Sequence, residues 1–272
     1  MAGCSRPAPA KTYPVHGQVL AVDQAKQTIT MRHDDIDGLM PGMTMGFQVA
    51  DPALLQGREP GEIVDGTIEV SDALGRLTSI HRVGFQALPT NTNAALMAEG
   101  VLEVGALVPD TAFIDQTDTR RALAEWRGSA TLVTFIYTRC PLPDFCPLID
   151  SHFARLQQAI MADAALKSRA RLISVTFDPE HDTPAVLTAH AAKLKADPAI
   201  WTFVTGDRGT LDRFAARLGV GVIREGDPSI THNLRTTLIA PDGRIAHIYS
   251  GSQWNTADVL ADLRAAAGAR VP

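Results

Sequence analysis

Cys140 and Cys146 lie in one short run, Phe135-Ile136-Tyr137-Thr138-Arg139-Cys140-Pro141-Leu142-Pro143-Asp144-Phe145-Cys146-Pro147. Two thiols in one loop can oxidise to a disulfide or hold a soft metal, and their spacing does not choose between these uses. Pro147 suits the first turn of a helix. A helix N-terminus is therefore expected at Cys146, where the dipole favours thiolate and lowers the pKa. The chain of 272 residues has three cysteines, and Cys4 stands apart from the other two. One close pair in a chain of this size is not a disulfide scaffold, so catalysis or metal binding is the better expectation.

A second group is made of methionines. Three of the seven fall in Met40-Pro41-Gly42-Met43-Thr44-Met45. On a strand, Met43 and Met45 share a face. Thioethers are neutral, soft donors suited to Cu(I) or Ag(I), and they have no proton to lose in an acidic compartment. His33 ends the preceding strand and offers an imidazole to close the site. The competing use is as core, the usual fate of methionine. Repeated Met around a Pro-Gly bend, where core strands prefer Val and Ile, counts against core, and the residues alone leave both uses open.

These groups need two kinds of scaffold. From Tyr13 to about Phe85 the pattern is of five short strands: Val15–Val22, Thr28–His33, Met43–Val49, Glu62–Val70 and Leu77–Val83. Gly and Pro punctuate the gaps, which suggests a small closed barrel of the OB type. Residues 87–101, rich in Ala, Asn and Thr, are expected to be a linker with a helical turn near Ala94–Glu99. After Val108, strands and helices alternate. Ala130–Tyr137 has the continuous apolar character of a buried strand, and Pro147–Ala164 follows as a helix. Further strands are expected at Arg171–Phe177 and Trp201–Thr205, and helices at Thr183–Ala196 and Thr210–Leu218. A hairpin around Pro241-Asp242-Gly243 and a last helix over Ala257–Ala267 complete an α/β sheet covered by helices. The expected division is a tether over 1–12, a barrel over 13–86, the linker over 87–101 and an α/β domain over 102–272.

Composition fits a globular protein, with 45% hydrophobic and 20% charged residues. A net charge of -5 without any Lys/Arg cluster excludes nucleic acid as the main partner. No run reaches the roughly 20 apolar residues of a membrane span. Ala2-Gly3-Cys4 resembles the end of a bacterial lipoprotein signal. Cys4 would then be lipidated, the Pro/Ala-rich stretch after it would be a tether, and a lipid anchor would be the only membrane contact.

The stretch from His33 to Phe47 resembles the motif of the CusF-like periplasmic copper- and silver-binding domains. That resemblance covers residues 13–86. It implies a five-stranded OB-type barrel holding Cu(I) through His33, Met43 and Met45. Met40 takes the place of the family's capping tryptophan, as a fourth ligand or a lid. Farther on, three motifs are similar to the Sco/SenC family. They are Phe-Ile-Tyr-Thr leading into the cysteine pair, Ser174-Val175-Thr176-Phe177-Asp178-Pro179-Glu180-His181-Asp182-Thr183-Pro184, and His232 ahead of the Pro-Asp-Gly hairpin. This second resemblance covers about residues 102–268 and implies a thioredoxin-like fold. It also implies copper bound by Cys140, Cys146 and His232, with Asp178 on a segment that approaches the site. Five residues separate the cysteines, where the family usually has three. His16, His81, His152, His181, His190 and His247 are read as surface or structural, and Trp126, Trp201 and Trp254 as packing residues.

Three functions follow as expectations. The first is a periplasmic copper chaperone for the CuA site of cytochrome c oxidase, with the CuA-bearing subunit as partner. It would carry Cu(I) in the barrel, and Cu(I) or Cu(II) in the Sco domain. The second is a thiol–disulfide oxidoreductase that reduces CuA-site cysteines through Cys140 and Cys146. The third is a copper sink. Other periplasmic copper carriers and thiol reductants would be further partners.

Overall fold

The computed structural model describes residues 11–24, 26–40, 42–71, 74–88, 93–226 and 229–268. The chain opens with strands β1 (Lys11–Asp23), β2 (Thr28–His33), β3 (Met43–Val49), β4 (Glu62–Ser71) and β5 (Leu74–Phe85), then a short helix α1 (Ala94–Ala98). It continues through β6 (Ala112–Asp115), β7 (Arg120–Ala122), β8 (Ala130–Ile136), α2 (Cys146–Ala162), α3 (Ala164–Lys167) and β9 (Ala170–Thr176). Next come α4 (Pro184–Leu194), β10 (Trp201–Thr205), α5 (Arg208–Arg217), β11 (Val222–Gly226) and β12 (Ser229–His232). The last elements are β13 (Arg235–Ile239), β14 (Ile245–Ser250) and α6 (Thr256–Gly268). Among the described residues no helix is long and apolar enough to cross a membrane.

The chain divides into two compact units. The first contains the described residues up to Gly100 together with Gly221–Asn233. Its strands close in the order β1-β2-β3-β5-β4, with β1 returning to pair with β4. This is the expected five-stranded OB-type barrel. Alternation makes the core: Ile29, Met31 and His33 of β2 are buried while Thr28, Thr30 and Arg32 are less so. Val19, Ile29, Met31, Phe47, Val64, Ile68 and Leu77 join in one apolar cluster. The β11–β12 hairpin belongs to this unit, and its Ile223 packs with Leu20 and Ala94 in a second small cluster.

The second unit is built on a seven-stranded sheet in the order β14-β13-β8-β9-β10-β6-β7. Strands β8, β9 and β10 are parallel, as crossover helices require. Strand β8 is buried at every position, which is why its sequence is continuously apolar. Helices α2 and α6 pack on each other and against β9 and β8 respectively, and α4 lies on β10. Local signals start the helices: the Thr183 hydroxyl caps α4 ahead of Pro184, and the Asp207 carboxylate caps α5. Two features differ from the sequence expectation. Strands β6 and β7 add an unforeseen hairpin at the sheet edge, and His232 lies on a strand of a second unforeseen hairpin, β11–β12.

Candidate metal centres

In the barrel, ladder register does the positioning. His33 on β2 stands opposite Met43 on β3, and Met31 stands opposite Met45. Gly17 of β1 pairs with His33 from the other side. A Cβ at Gly17 would collide with the Arg32 carbonyl oxygen and stand 2.8 Å from the His33 Cα, so only glycine lets β1 approach here. The His33 ring is 2% exposed and meets Phe47 edge-on, with centroids 5.5 Å apart. Its Nδ1 lies 2.7 Å from the Asp34 carbonyl oxygen. A carbonyl only accepts, so Nδ1 carries the proton and Nε2 keeps the lone pair. That Nε2 is buried without a hydrogen-bond partner. Burial also lowers the His33 pKa, which keeps the ring neutral.

Met45 is half-buried against the barrel core, and so is Met40. Met40 is fastened by reciprocal backbone hydrogen bonds with Ile36, at 2.8 and 3.1 Å. The Asp35 carboxylate accepts from the Gly42 N–H at 2.6 Å and closes the intervening loop. An orphaned, neutral imidazole nitrogen fits a soft, polarisable ion better than a hard one. Met31, which sequence reasoning did not single out, is fully buried and belongs to the core.

In the second unit, β8 ends at Ile136 and delivers the cysteine loop from its tip. Two turns fold the five intervening residues back: the Cys140 N–H donates to the Tyr137 carbonyl at 3.2 Å, and the Phe145 N–H to the Leu142 carbonyl at 3.2 Å. Both cysteines are free thiols, Cys140 half-exposed and Cys146 buried as the first residue of α2. Their sulfurs are hydrogen-bonded to each other, and the Tyr137 hydroxyl also donates to Cys140. The hydrogen bond from Cys146 is the main reason that the Cys140 pKa falls to about 6. The Cys146 pKa is pushed well above its usual value, first by that same bond and then by burial. This reverses the expectation of a Cys146 thiolate. At 1% exposure, desolvation and the neighbouring sulfur outweigh the helix terminus, so the shared proton stays on the inner sulfur.

The loop is anchored by two buried carboxylates. Asp178 accepts from Arg139 Nε at 2.7 Å and from a second guanidinium nitrogen at 3.4 Å. Asp182, wholly buried, accepts from the Thr138 N–H at 3.1 Å and its hydroxyl at 2.5 Å, and from the Thr176 hydroxyl at 2.6 Å. Thr138 and Arg139 lead directly into Cys140, so β9 and the turn after it fix where the first sulfur stands. Sequence reasoning chose Asp178 and missed Asp182, although both lie in one motif. The signal was available in Asp182-Thr183-Pro184, where the capping role of Thr183 left the preceding acid without an assigned task. Asp178, His181 and Asp182 have ligand atoms within 4.8 Å of one another, yet both carboxylates are committed to the loop.

His232 sits on β12, 5% exposed, with Nδ1 3.1 Å from the Asn233 carbonyl oxygen. As at His33, this places the proton on Nδ1 and the lone pair on Nε2. Burial lowers its pKa to about 4, so it is neutral at physiological pH. Cys4 lies outside the described residues, and of Met43 only the backbone register is described.

A thioredoxin-like sheet with a pair of reduced sulfurs at the tip of a central strand, joined in one chain to a small barrel, defines a two-domain protein of the copper-binding, thioredoxin-like class. The SCO1/SenC family model matches residues 103–268, more than half of the chain, and the chain belongs to that family. A model of the copper-binding periplasmic protein CusF matches residues 12–82. The SCO1 protein homolog of Bacillus subtilis is 29% identical over 159 residues, covering 57% of this chain and 79% of its own length. The solved structure of BsSco, a member of the Sco family of cytochrome c oxidase assembly proteins, is 25% identical with a TM-score of 0.54. It covers 63% of this chain and 99% of its own. Yeast Sco1 with copper bound shares the fold at 17% identity and a TM-score of 0.52, over 61% of this chain and 91% of its own. Both families represented in this chain bind copper.

Proposed function

We propose that this protein is a periplasmic copper chaperone serving assembly of the CuA centre of cytochrome c oxidase. The observation that carries the reading is the pair of reduced sulfurs, Cys140 partly exposed and Cys146 buried, hydrogen-bonded to each other beyond the end of β8. Two soft donors that share one proton give up little to bind a cuprous ion. His232, neutral and with its lone pair on Nε2, is the third ligand in this reading. The barrel captures Cu(I) through His33, Met43 and Met45, with Met40 as fourth ligand or lid. Fusion raises the effective concentration of each site near the other and favours transfer along the chain. Lipidation at Cys4 tethers the whole to the membrane that bears the oxidase. The direct test is transfer. Copper-loaded protein mixed with the apo CuA-bearing domain should yield the purple CuA spectrum, and Cys140→Ser/Cys146→Ser protein should not.

A second reading is favoured by the unequal cysteines. A thiolate at Cys140 and a protonated, buried Cys146 are the arrangement of a nucleophile and a resolving thiol. The Cys140 thiolate attacks a partner disulfide and releases one partner thiolate. Cys146, losing its proton, then attacks Cys140 sulfur and releases the second. The partner gains two electrons and this protein becomes the disulfide. Trapping a mixed disulfide with an oxidised CuA domain in Cys146→Ser protein tests it, and failure to trap any leaves only the chaperone.

A further inference from the structure

The cysteine loop sets an apolar side chain in solvent beside its outer sulfur. Leu142 is 49% exposed, and Pro141, Pro143 and Asp144 around it are exposed as well. A single exposed leucine is ordinary on a protein surface. This one differs in how it is held and in what it stands next to. Proline on either side fixes two φ angles and disfavours helical backbone at Cys140 and Leu142, the residues before the two rings. The Leu142 carbonyl accepts from the Phe145 N–H at 3.2 Å and lies 3.9 Å from Cys140 Sγ. The leucine backbone thus sits against the partly exposed sulfur while Cys146 is buried beneath it in the sequence of the same loop. Any protein that touches Cys140 Sγ comes within reach of the Leu142 side chain.

We propose that Leu142 is a docking contact, seated in an apolar recess of the protein that takes copper from the cysteine pair. This rests on the reading of that pair as a copper carrier. A loop held by two prolines and a turn suits the task, because a side chain presented on ordered backbone loses less freedom on docking. The occupant is a protein with apolar surface beside its own metal ligands. A small hydrophilic thiol such as glutathione has no recess for Leu142 and gains nothing from it.

The test uses the full chain with Met43→Ala and Met45→Ala, loaded anaerobically with one equivalent of Cu(I). It is mixed with the apo CuA-bearing domain, the two proteins are separated at timed intervals, and copper is assayed in each. Leu142→Ser is expected to slow transfer about tenfold, the loss of one apolar anchor at an interface. Leu142→Met, apolar and of similar volume, is expected to recover most of the rate. Met161→Ser makes the same kind of change at another exposed apolar residue and is expected to leave the rate unchanged. Withdrawal of copper by glutathione should proceed alike in all of these proteins. Equal transfer from the Leu142→Ser and parent chains overturns the inference and leaves the copper reading intact. Slowing with glutathione to the same degree as with the domain also overturns it, because the residue then acts on the sulfurs and not on the partner. If the parent chain passes no copper to the domain, the copper-carrier reading falls and the inference with it.

Discussion

Burial decides which of two sulfurs holds the proton at the cysteine pair. The Cys140 pKa of about 6 predicts that iodoacetamide modifies Cys140 rapidly at pH 7 and half as fast near pH 6, while Cys146 is protected in the folded protein. Peptide mapping after timed alkylation checks this. The Tyr137 hydroxyl donates to the thiolate, so Tyr137→Phe should move the midpoint upward by about one pH unit. The types of these residues were legible in the sequence, and so was their proximity. The ranking of the two thiols was not. A helix N-terminus can be inferred from Cys-Pro, whereas the desolvation that overrides it comes from the sheet and helices packed around Cys146. His33 was legible for a better reason: strand alternation and the ladder with β3 are both readable from residue types.

At the scale of elements, the loop between β8 and α2 is held by carboxylates from beyond β9. Asp182→Ala would remove the acceptor of the partly buried Thr138 N–H and hydroxyl and of the buried Thr176 hydroxyl, at a cost of roughly 1–3 kcal/mol. Urea unfolding should register that loss. The Cys140 alkylation rate should also change, because its approach loop loses an anchor. Gly17→Ala is a second element-level test. It should push β1 off β2 at His33 and weaken Ag(I) binding by the barrel while the Sco domain keeps its secondary structure. Strands and helices with clear periodicity were anticipated to within a few residues. The β6–β7 and β11–β12 hairpins were not, because their strands are only three to five residues long and what holds each in place lies far off in the sequence, β10 for β6 and Asn93 for β11. The Asn93 bond to Val222 is of that kind: in sequence residues 87–101 look like a featureless linker, and the hairpin that Asn93 holds is 129 positions away.

For the whole molecule, the buried histidines His33, His152 and His232, all with pKa values lowered first by burial, couple folding to pH. His232 has a pKa of about 4 when folded and 6.5 as an unperturbed group, and His33 is shifted in the same direction. As pH falls from about 6.5 toward 4, the unfolded chain takes up protons that the folded chain refuses. Stability of the copper-free protein therefore declines with pH in that interval, by up to roughly 3 kcal/mol from His232. Urea unfolding at pH 7 and pH 5 checks the sign, and His232→Gln should flatten the dependence. With the neutral imidazoles of His33 and His232 as the proposed copper ligands, loading should oppose acid unfolding.

The account stands on two separate soft-metal sites in one chain, and anaerobic Cu(I) titration of the fully reduced protein tests that most directly. It predicts two tight equivalents, one lost in Met43→Ala/Met45→Ala and the other in Cys140→Ser/Cys146→Ser. A single equivalent that survives the cysteine substitutions, with the two thiols cycling freely as a disulfide, would contradict it.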